Sequence, residues 1–533
     1  MEQQQQQQHE AKQYAGDLAA IELHSPSDGR RSSVSAPINA SGHKQELDRN
    51  FGFINICGLA LTSGNTWIAL GGSIVTAIYD GGPPGVIYEM IAASFFYWFI
   101  AASLAELASS MPSSGGVYHW ATITAGRYGR PVGFFAGWWN FLAWIFGAAS
   151  TTQILGTQVV SAYALFHPDY TIQRWHVFIA YLICSIGCCL TVAFANRALP
   201  MIESVGGALT VAGFLITVIV CAVMPHVNGQ PYATDDFVWR DWLNEAGYSS
   251  NGFVFCLGML NGAFAVGTPD VISHLAEEVP QPGKNIPIGM LAQYVMGFFT
   301  AFLYLIVIFY GITDLDAVLD APYLYPLTEI YVQITGSRGG SLGLIIVSLL
   351  PLVVAIIGCY LTSSRVLWTL ARDGATPFSG YLRRVDPTHK NPLAAVLVSG
   401  VIPLVLGCIY VGNSTAFSAF VSSFVVLTTI SYLAAILPHL LRGRQGIPRG
   451  WFWMSGPVGF IVNGVTCAFI IVFIVIFCFP FSMPVDAETM NYTCLITGGF
   501  TILIAAIWVA KKGDYQGPTV VAIESEALAK DAI

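Results

Sequence analysis

Two polar interruptions lie inside long apolar segments of the chain. The second interruption runs from Gly262 to Pro269, and Asp270 follows it directly. The first consists of five residues that are polar or poor helix formers: Thr62, Ser63, Gly64, Asn65 and Thr66. Unwound backbone at membrane depth is tolerated only where it is buried in protein or lines a cavity. We therefore predict that both helices break there so that free backbone groups face a small ligand.

The half-helix after Gly64 would point its positive N-terminal end at an anionic group, such as a carboxylate. In a plainer alternative, glycine and proline only kink each helix, and neighbouring groups satisfy the loose carbonyls. That alternative is favoured for a single break. Two breaks at matching places in the two halves of a chain favour a binding site instead.

Ionisable side chains at membrane depth cost about 2.5 to 3.5 kcal/mol each on insertion scales and are often functional. In this chain they are Glu89, Glu106, Glu203, Asp270 and His274. Glu106 precedes a Ser-Ser-Gly-Gly loop, where it either pairs with a basic residue and latches a gate or snorkels at the membrane interface. The sequence leaves these two roles open.

Asp270 and His274 lie one helical turn apart, on the same helix face. For the Asp270 carboxylate we favour capping of the following half-helix over direct contact with a cation. A histidine relays protons near neutral pH, but an ordinary hydrogen-bonded residue is the favoured interpretation of His274.

Tryptophan faces attract a quaternary ammonium group by up to about 2 kcal/mol when the pair is desolvated. Trp138 and Trp139 lie near a span end and are expected in the interfacial aromatic belt. Trp144 lies deeper, and Trp67 directly follows the first interruption. These last two are the predicted ligand contacts.

The composition places the chain in a membrane. Of its 533 residues, 54% are hydrophobic and 10% are charged, against about 25% charged in a soluble domain. Apolar stretches of about 20 residues, enough to cross a bilayer, recur from Phe51 to Ala510. The 11 cysteines lie in or beside these stretches and are interpreted as buried apolar residues.

No phosphate-binding loop, zinc-binding His-Glu-x-x-His or nucleophile elbow occurs, so we predict no catalytic residues, metal, cofactor or nucleic-acid partner.

Glycine, proline and charge clusters divide the apolar part into about twelve predicted spans. Their predicted bounds are 51–79, 86–108, 132–165, 176–195, 201–224, 250–276, 287–312, 341–371, 393–411, 415–440, 457–479 and 492–510. Lysine and arginine concentrate in the connections on the side of both termini, and the other connections hold Arg174, Arg240 and Arg338. The positive-inside rule therefore predicts cytoplasmic termini. The predicted parts are a disordered tail, 1–50, a twelve-helix domain, 51–510, and a C-terminal tail, 511–533.

Three stretches resemble the fungal amino acid and choline transporter branch of the amino acid, polyamine and organocation (APC) superfamily. They are GLALTSGNTWIALGGSIVTAIYDGGPPGVIYE, LAELASSMPSSGGVYHWA and HLAEEVPQPGKNIP. The Pro-Ser-Ser-Gly-Gly-x-Tyr run and the His-x-x-Glu-Glu-x-x-x-Pro run are the most specific marks. The resemblance extends over nearly all of residues 50 to 510.

This resemblance implies an all-α, leucine-transporter-like fold with broken helices 1 and 6. Spans 1 to 5 and 6 to 10 would form inverted repeats, followed by two C-terminal helices. By the same resemblance, Ser63, Gly64 and Asn65 match the unwound part of helix 1 that receives a substrate carboxylate. The matching part of helix 6, which contacts the amine or the substrate side chain, comprises Ala265, Val266, Gly267 and Thr268. Together with Thr66, Trp67 and Trp144, these residues form the predicted substrate site.

The resemblance also implies secondary active transport of a small amine-bearing solute, usually driven by protons. Some proton-coupled relatives carry a lysine in helix 5, but predicted span 5 contains none. Glu106, Glu203, Asp270 and His274 therefore remain the candidates for gating or proton coupling.

The resulting hypothesis is a multi-pass permease for choline or an amino acid such as 4-aminobutyrate. It would work by alternating access and be coupled to protons. The plasma membrane is the expected location, although a vacuolar membrane would leave the same signals. The alternative is a transceptor of the same fold that mainly signals. Signalling relatives tend to have long, structured tails, whereas the predicted C-terminal tail is short.

Overall fold

The computed structural model describes residues 46–47, 49–74, 77–413 and 415–518. The predicted N-terminal tail lies almost wholly outside these residues, as does most of the predicted C-terminal tail. Within the described residues every regular element is a helix, and one isolated β-bridge joins Asp386 to Asn391. The predicted all-α class is confirmed.

Twelve helices in the described part are long and apolar enough to cross a membrane, which confirms the predicted number. We number them as spans 1 to 12 in chain order. Their bounds are Phe53–Gly72, Gly82–Ser110, Gly126–Ala164, Arg174–Phe194, Asn196–Val227, Asn251–Leu275, Pro282–Tyr310, Arg338–Arg372, Leu393–Gly412, Ala416–Leu441, Gly456–Ile476 and Thr493–Lys511. Shorter α-helices in the connections are Val117–Thr124, Asp235–Trp239, Leu315–Leu319, Leu327–Thr335 and Ser379–Leu382.

Two of the spans are interrupted. Span 1 consists of helix 1a, Phe53–Ser63, and helix 1b, Thr66–Gly72. Span 6 consists of an α-helix, 6a, Asn251–Val266, and a 3-10 helix, 6b, Val271–Leu275. Both predicted breaks are therefore present.

Because the number of spans is even, the chain enters span 1 and leaves span 12 at one membrane face. We name this the terminal face, and we name the other the opposite face. Helices 1a and 6b lie in the half of the protein towards the terminal face. Helices 1b and 6a lie in the half towards the opposite face.

The predicted bounds of spans 1 and 2 need correction. Span 1 ends at Gly72, not at residue 79, and a separate 3-10 helix, Ile78–Asp80, follows it. Span 2 begins at Gly82, not at residue 86, with prolines at the start of the helix. Proline is tolerated there because the first helical N–H groups have no intrahelical acceptor.

The first ten spans form two repeats of five with inverted orientation. Spans 1 and 6 are broken, and spans 3 and 8, with 39 and 35 residues, are the longest. The short helix Val117–Thr124 follows span 2 at the terminal face, and Leu327–Thr335 follows span 7 at the opposite face. Counterpart elements thus lie on opposite faces, as in transporters built from inverted repeats.

The centre of the protein is formed by spans 3, 6 and 10. In each of these spans 78% of the most apolar window is buried, against 11% in span 12. Small residues let the helices near the centre approach closely. At Gly58 of helix 1a, a Cβ atom would lie 2.6 Å from the backbone oxygen of Glu203. This contact brings the Glu203 region of span 5 against helix 1a.

Candidate functional site

A central cavity of about 40 Å³ lies at the two breaks. Spans 1, 3, 6, 8 and 10 supply its walls. The lining residues are Ser63, Asn65, Ala69, Trp144, Gly147, Thr151, Ile154, Phe264, Ala265, Thr268, Leu352, Ala355, Cys359 and Phe424. A water molecule needs about 10 to 15 Å³ by this kind of measure. The cavity therefore holds a few waters and must widen before it admits a larger solute.

The break in span 1 presents polar atoms to this cavity. Helix 1a ends at Ser63, the Gly64 N–H donates to the Ala60 carbonyl, and Asn65 precedes helix 1b. The Ser63 hydroxyl and both polar side-chain atoms of Asn65 are buried without a hydrogen-bond partner among the described residues. Buried polar groups normally have partners, so such atoms require an explanation. A bound solute or water would supply the missing partners.

The break in span 6 lies beside the break in span 1. The Thr268 hydroxyl lies 3.5 Å from the Ser63 carbonyl, to which it donates, and it accepts a 2.8 Å hydrogen bond from the Gln293 amide. The Tyr294 hydroxyl donates to the Val266 carbonyl at 2.6 Å. The Gln293 amide also donates to the Thr268 carbonyl at 3.2 Å, so span 7 satisfies two carbonyls at this break.

The predicted start of the second break was wrong. The α-helix continues through Gly262 to Val266, and the chain leaves it at Gly267. Ala265 and Val266 consequently belong to the last turn of helix 6a. Pro269 lacks an N–H and disfavours the helical conformation of the residue before it, so the break forms beside the proline.

The predicted capping role of Asp270 was also wrong. Asp270 precedes helix 6b, but its side chain makes no capping hydrogen bond to that helix. The fully buried carboxylate instead accepts hydrogen bonds from three side chains of spans 3 and 10 and from His274. The donors are Asn140 at 2.7 Å, Trp144 at 3.3 Å, Tyr432 at 2.6 Å and His274 at 3.0 Å.

His274 lies on the same face as Asp270, as predicted. Its other ring nitrogen lies 3.3 Å from the Ser114 carbonyl, in the loop that follows span 2. The imidazole thus links helix 6b to that loop. This geometry places His274 in a hydrogen-bonded network that connects spans 2, 3, 6 and 10.

Trp144 and Trp67 have different surroundings. The Trp144 ring lines the cavity and packs edge-to-face against Phe424, with centroids 6.0 Å apart. Trp67 is not among the lining residues; its ring packs against Tyr304 and Phe214, at centroid distances of 5.2 and 6.4 Å. Gly64, Thr66, Val266 and Gly267 are likewise absent from the lining set, because the neighbouring residues face the cavity at each break.

The two tryptophans assigned to the interfacial belt are held by protein contacts. The Trp138 indole is buried and donates to the Ala375 carbonyl at 3.2 Å. The Trp139 indole is half-buried and donates to the Thr501 hydroxyl at 3.0 Å. The segment after span 8 and span 12 thus cover these two side chains, and their position at the membrane interface stays a prediction.

Buried ion pairs join elements at the terminal face. Glu106 does not snorkel: it is 1% exposed and accepts a 2.6 Å hydrogen bond from Arg444, which follows span 10. Glu278 pairs with Arg365 at 2.8 Å, and Glu277 pairs with Arg372 at 3.1 Å. The first pair joins span 2 to the segment after span 10, and the other two pairs join the segment after helix 6b to span 8.

Glu203 lies in the same half and is fully buried. One of its carboxylate oxygens accepts a 2.6 Å hydrogen bond from the Thr62 hydroxyl, which lies two residues before the break in span 1. Its other carboxylate oxygen has no partner among the described residues. The Glu203 carboxylate therefore contacts helix 1a directly.

Several cavity residues were missed by sequence reasoning. Thr151, Cys359 and Phe424 lie on spans 3, 8 and 10, whose continuous apolar pattern contains no visible break. Asn140 gave a usable signal, because a buried amide in an apolar run requires a partner. Its partner, Asp270, is far away in the sequence and only the fold brings the two together.

The fold and the site define a multi-pass membrane protein with a central solute cavity between two broken helices. Residues 51–500 match the family model described as amino acid permease. Three curated relatives, all from Saccharomyces cerevisiae, cover most of the chain. A choline transporter is 30% identical over 94% of this chain and 88% of its own length. A GABA-specific permease is 27% identical over 90% and 84%, and a 7-keto 8-aminopelargonic acid transporter is 26% identical over 85% and 90%.

The chain belongs to the amino acid permease family of the APC superfamily. It is accordingly a membrane transporter of small solutes and not an enzyme. The predicted family, fold and general class of function are confirmed. The breaks in spans 1 and 6 lie within the matched residues.

Proposed function

We propose that this protein is a secondary active permease for a small amine-bearing solute, either choline or an amino acid such as 4-aminobutyrate. The observation that carries the proposal is the central cavity, in which unpartnered polar atoms of Ser63 and Asn65 lie with the rings of Trp144 and Phe424. One wall offers hydrogen bonds, and another offers aromatic faces. A solute with a polar end and an ammonium end matches both.

The aromatic wall would receive the ammonium group. Desolvated cation–π contacts contribute about 2 kcal/mol, and the Asp270 carboxylate behind Trp144 adds a negative charge. The Asp270 carboxylate already accepts four hydrogen bonds, so it would act on the solute through Trp144 and through its field. This division of roles leaves Ser63 and Asn65 for the polar end of the solute.

The transport cycle would alternate access to the cavity between the two membrane faces. In the present arrangement the cavity is too small for the solute, and the Glu106, Glu277 and Glu278 ion pairs close the terminal face. Release towards that face requires helices 1a and 6b to move away from span 8. We take the terminal face as cytoplasmic, on the positive-inside rule, and the membrane as the plasma membrane.

We assign proton coupling to Glu203 among the four candidates. Glu106 and Asp270 have basic or multiple hydrogen-bonding partners, and His274 is already held by Asp270. Glu203 has one free carboxylate oxygen and contacts helix 1a through Thr62. Ionisation of this oxygen without a partner is costly, so loss of a proton would favour movement of helix 1a.

Uptake in permease-deficient cells tests the transport proposal. Labelled choline, 4-aminobutyrate and a panel of amino acids are supplied with and without a protonophore. We expect accumulation of one amine-bearing solute that the protonophore abolishes. Failure to accumulate any of them, by a chain shown to be in the plasma membrane, overturns the proposal.

The aromatic wall is tested by Phe424→Leu. We expect a weaker apparent affinity, by about 0.5 to 2 kcal/mol or up to about 30-fold, because one aromatic face is removed. Phe420→Leu is the matched control, since Phe420 lies one turn away on span 10 and packs against Phe146 outside the cavity lining. Equal effects of the two substitutions would remove the aromatic wall from the proposal.

The coupling assignment is tested by Glu203→Gln, which keeps an acceptor for Thr62. Uptake should become insensitive to the protonophore and cease to concentrate the solute, while exchange of internal for external solute continues. Glu245→Gln, at an exposed acid in the connection after span 5, is the control. Concentrative uptake that survives in Glu203→Gln excludes this residue as the coupling site.

A further inference from the structure

A second buried carboxylate, Glu89 of span 2, lies in the half towards the opposite face and takes no part in the central site. We propose that Glu89 is a proton-binding site that controls closure of this half, and that Asp80 connects it to the solution. Closure transfers one proton from the solution to the Glu89 carboxylate, and opening returns it. The inference rests on the proposed transport cycle, in which this half must open and close.

The Glu89 side chain is enclosed but has no partner. It is 1% exposed, and neither carboxylate oxygen has a hydrogen-bond partner among the described residues. Asp80, in the short helix before span 2, is 8% exposed. A Cβ atom at Gly85 would lie 3.3 Å from the Asp80 backbone oxygen and 3.4 Å from a Glu89 carboxylate oxygen, so the two residues are neighbours. Burial raises the pKa of Asp80 to about 8.

Helix 6a encloses the Glu89 carboxylate. It packs against span 2 through Gly258 and Gly262, a small-xxx-small spacing that allows close approach of helices. A Cβ atom at Gly258 would overlap the Glu89 carboxylate, and one at Gly262 would lie 2.9 Å from the Ala93 Cβ. The carboxylate therefore occupies the notch at Gly258, and it stays dry while helix 6a remains in this position.

The charged groups around Glu89 do not stabilise its ionised form. Asp80 faces it from the preceding short helix, and Cys256 faces it from helix 6a. Tyr248, in the connection before span 6, faces Asp80. Each of these groups is neutral or negative. Within the described residues, no lysine or arginine forms an ion pair with either carboxylate, in contrast to the pairs at the terminal face.

An ionised carboxylate without a hydrogen bond or an opposite charge is strongly disfavoured inside a protein. The packed arrangement of span 2 and helix 6a therefore requires a protonated Glu89. If helix 6a moves away, water reaches the notch by way of Asp80 and the carboxylate ionises. Acid then favours the closed form of this half, and alkali favours the open form.

Cys256 provides a native reporter of this movement. It is half-buried on helix 6a, two residues before Gly258. Maleimide labelling of Cys256 is measured on the full chain in detergent, from pH 6 to pH 9. The amount of bound maleimide is normalised to that of the same sample after denaturation in SDS. The Cys256→Ala variant gives the background labelling of the other cysteines. This measurement needs neither a substrate nor a known orientation in the membrane.

The thiolate is the reactive form of cysteine, so labelling of Cys256 rises with pH in every variant that keeps it. We expect a steeper rise in the wild type than in Glu89→Gln, by up to a further factor of about ten per pH unit, because only the wild type adds the loss of the Glu89 proton. Glu488→Gln, an exposed acid of the opposite face, should behave as the wild type. Asp80→Asn removes the neighbouring negative charge, so its labelling transition should move to lower pH.

Equal pH responses of labelling in the wild type and in Glu89→Gln overturn the proposal. Size-exclusion chromatography establishes that each variant is folded. The shift of the labelling transition in Asp80→Asn tests the role of Glu89 in a protein that keeps the Glu89 side chain. Uptake is measured separately. If the protein takes up no solute but its labelling depends on Glu89, only the transport proposal is refuted. If the protein takes up solute but its labelling does not depend on Glu89, only the proposed proton site is refuted.

Discussion

The two halves of the protein are stabilised by different chemistry. Towards the terminal face, Glu278 and Glu106 pair with Arg365 and Arg444 and are nearly fully buried. Towards the opposite face, the buried acid Glu89 has no such partner, and the described ion pair of that face is exposed. Paired charges resist a change of pH, whereas a buried unpaired acid responds to it. The comparison therefore indicates that the terminal ion pairs resist a change of pH, whereas the proposed pH response of the other half depends on Glu89.

Aromatic and tyrosine contacts replace the ion pairs in the half towards the opposite face. Trp67 packs on Tyr304, whose hydroxyl lies 2.9 Å from that of Tyr331 on the short helix after span 7. Gln158 donates to the Tyr325 hydroxyl at 2.8 Å. Separation of such neutral contacts leaves no uncompensated buried charge, so this half should open more easily than the other.

The largest expected effect is that of Arg365→Ala. Removal of one member of a buried ion pair costs about 3 to 5 kcal/mol, because the remaining charge, here Glu278, loses its partner. We expect a strongly lowered Tm in detergent and open access at the terminal face. Arg384→Ala, an exposed arginine of the same face, should change the stability by less than about 0.5 kcal/mol. Equal Tm values for the two variants would contradict the role given to the terminal ion pairs.

Glu106→Gln should have a smaller effect. The glutamine oxygen still accepts a hydrogen bond from Arg444, but the buried guanidinium loses its opposite charge. We expect a loss of about 1 to 3 kcal/mol in the free energy of unfolding, measured by denaturant titration in detergent. A variant as stable as the wild type would show that this pair does not hold the terminal face.

Tyr304→Phe tests the neutral half. It removes the hydroxyl that contacts Tyr331 and keeps the ring that packs on Trp67. A neutral hydrogen bond contributes about 0.5 to 1.5 kcal/mol, so the loss of stability should fall below that of Glu106→Gln. The reverse order of the two Tm shifts would remove the distinction between the halves.

The smallest effect is expected for Asp236→Asn at the opposite face. Asp236 and Arg240 form a 2.8 Å ion pair, but both side chains are mostly exposed. Exposed pairs contribute little because water and salt screen them. The Tm should remain within measurement error of the wild type, at low and at high salt. A marked loss would mean that ion pairs of this face also hold the protein closed.

The sequence predicted the fold to the level of span order. Long apolar runs must be helices in a bilayer, because each backbone polar group needs an internal partner there. The first break was predicted at the right place because polar residues and glycine stand together there, but it was predicted too wide: Thr62, Ser63 and Thr66 are helical, and only Gly64 and Asn65 lie outside the two helices. The second was predicted too early, since Gly262 stays helical where span 2 packs closely against it.

The site was predicted only in part. Ser63, Asn65, Ala265, Thr268 and Trp144 line the cavity, whereas Trp67 faces away from it. The direction of a side chain depends on the rotation of its helix, and the packing of neighbouring spans sets that rotation. Phe424 could not have been found, because nothing in span 10 distinguishes it from the other apolar residues of that span.

The sequence alone determined the membrane class, the number of spans and the existence of two breaks, since these follow from local hydrophobicity and helix propensity. Only the tertiary structure decided which groups meet at the breaks. Asn140, Trp144 and Tyr432 surround Asp270 from spans 3 and 10, and Glu89 meets Gly258 without a cation. Whether a buried acid is ionised depends on the groups that surround it in space, and those groups are distant in the chain.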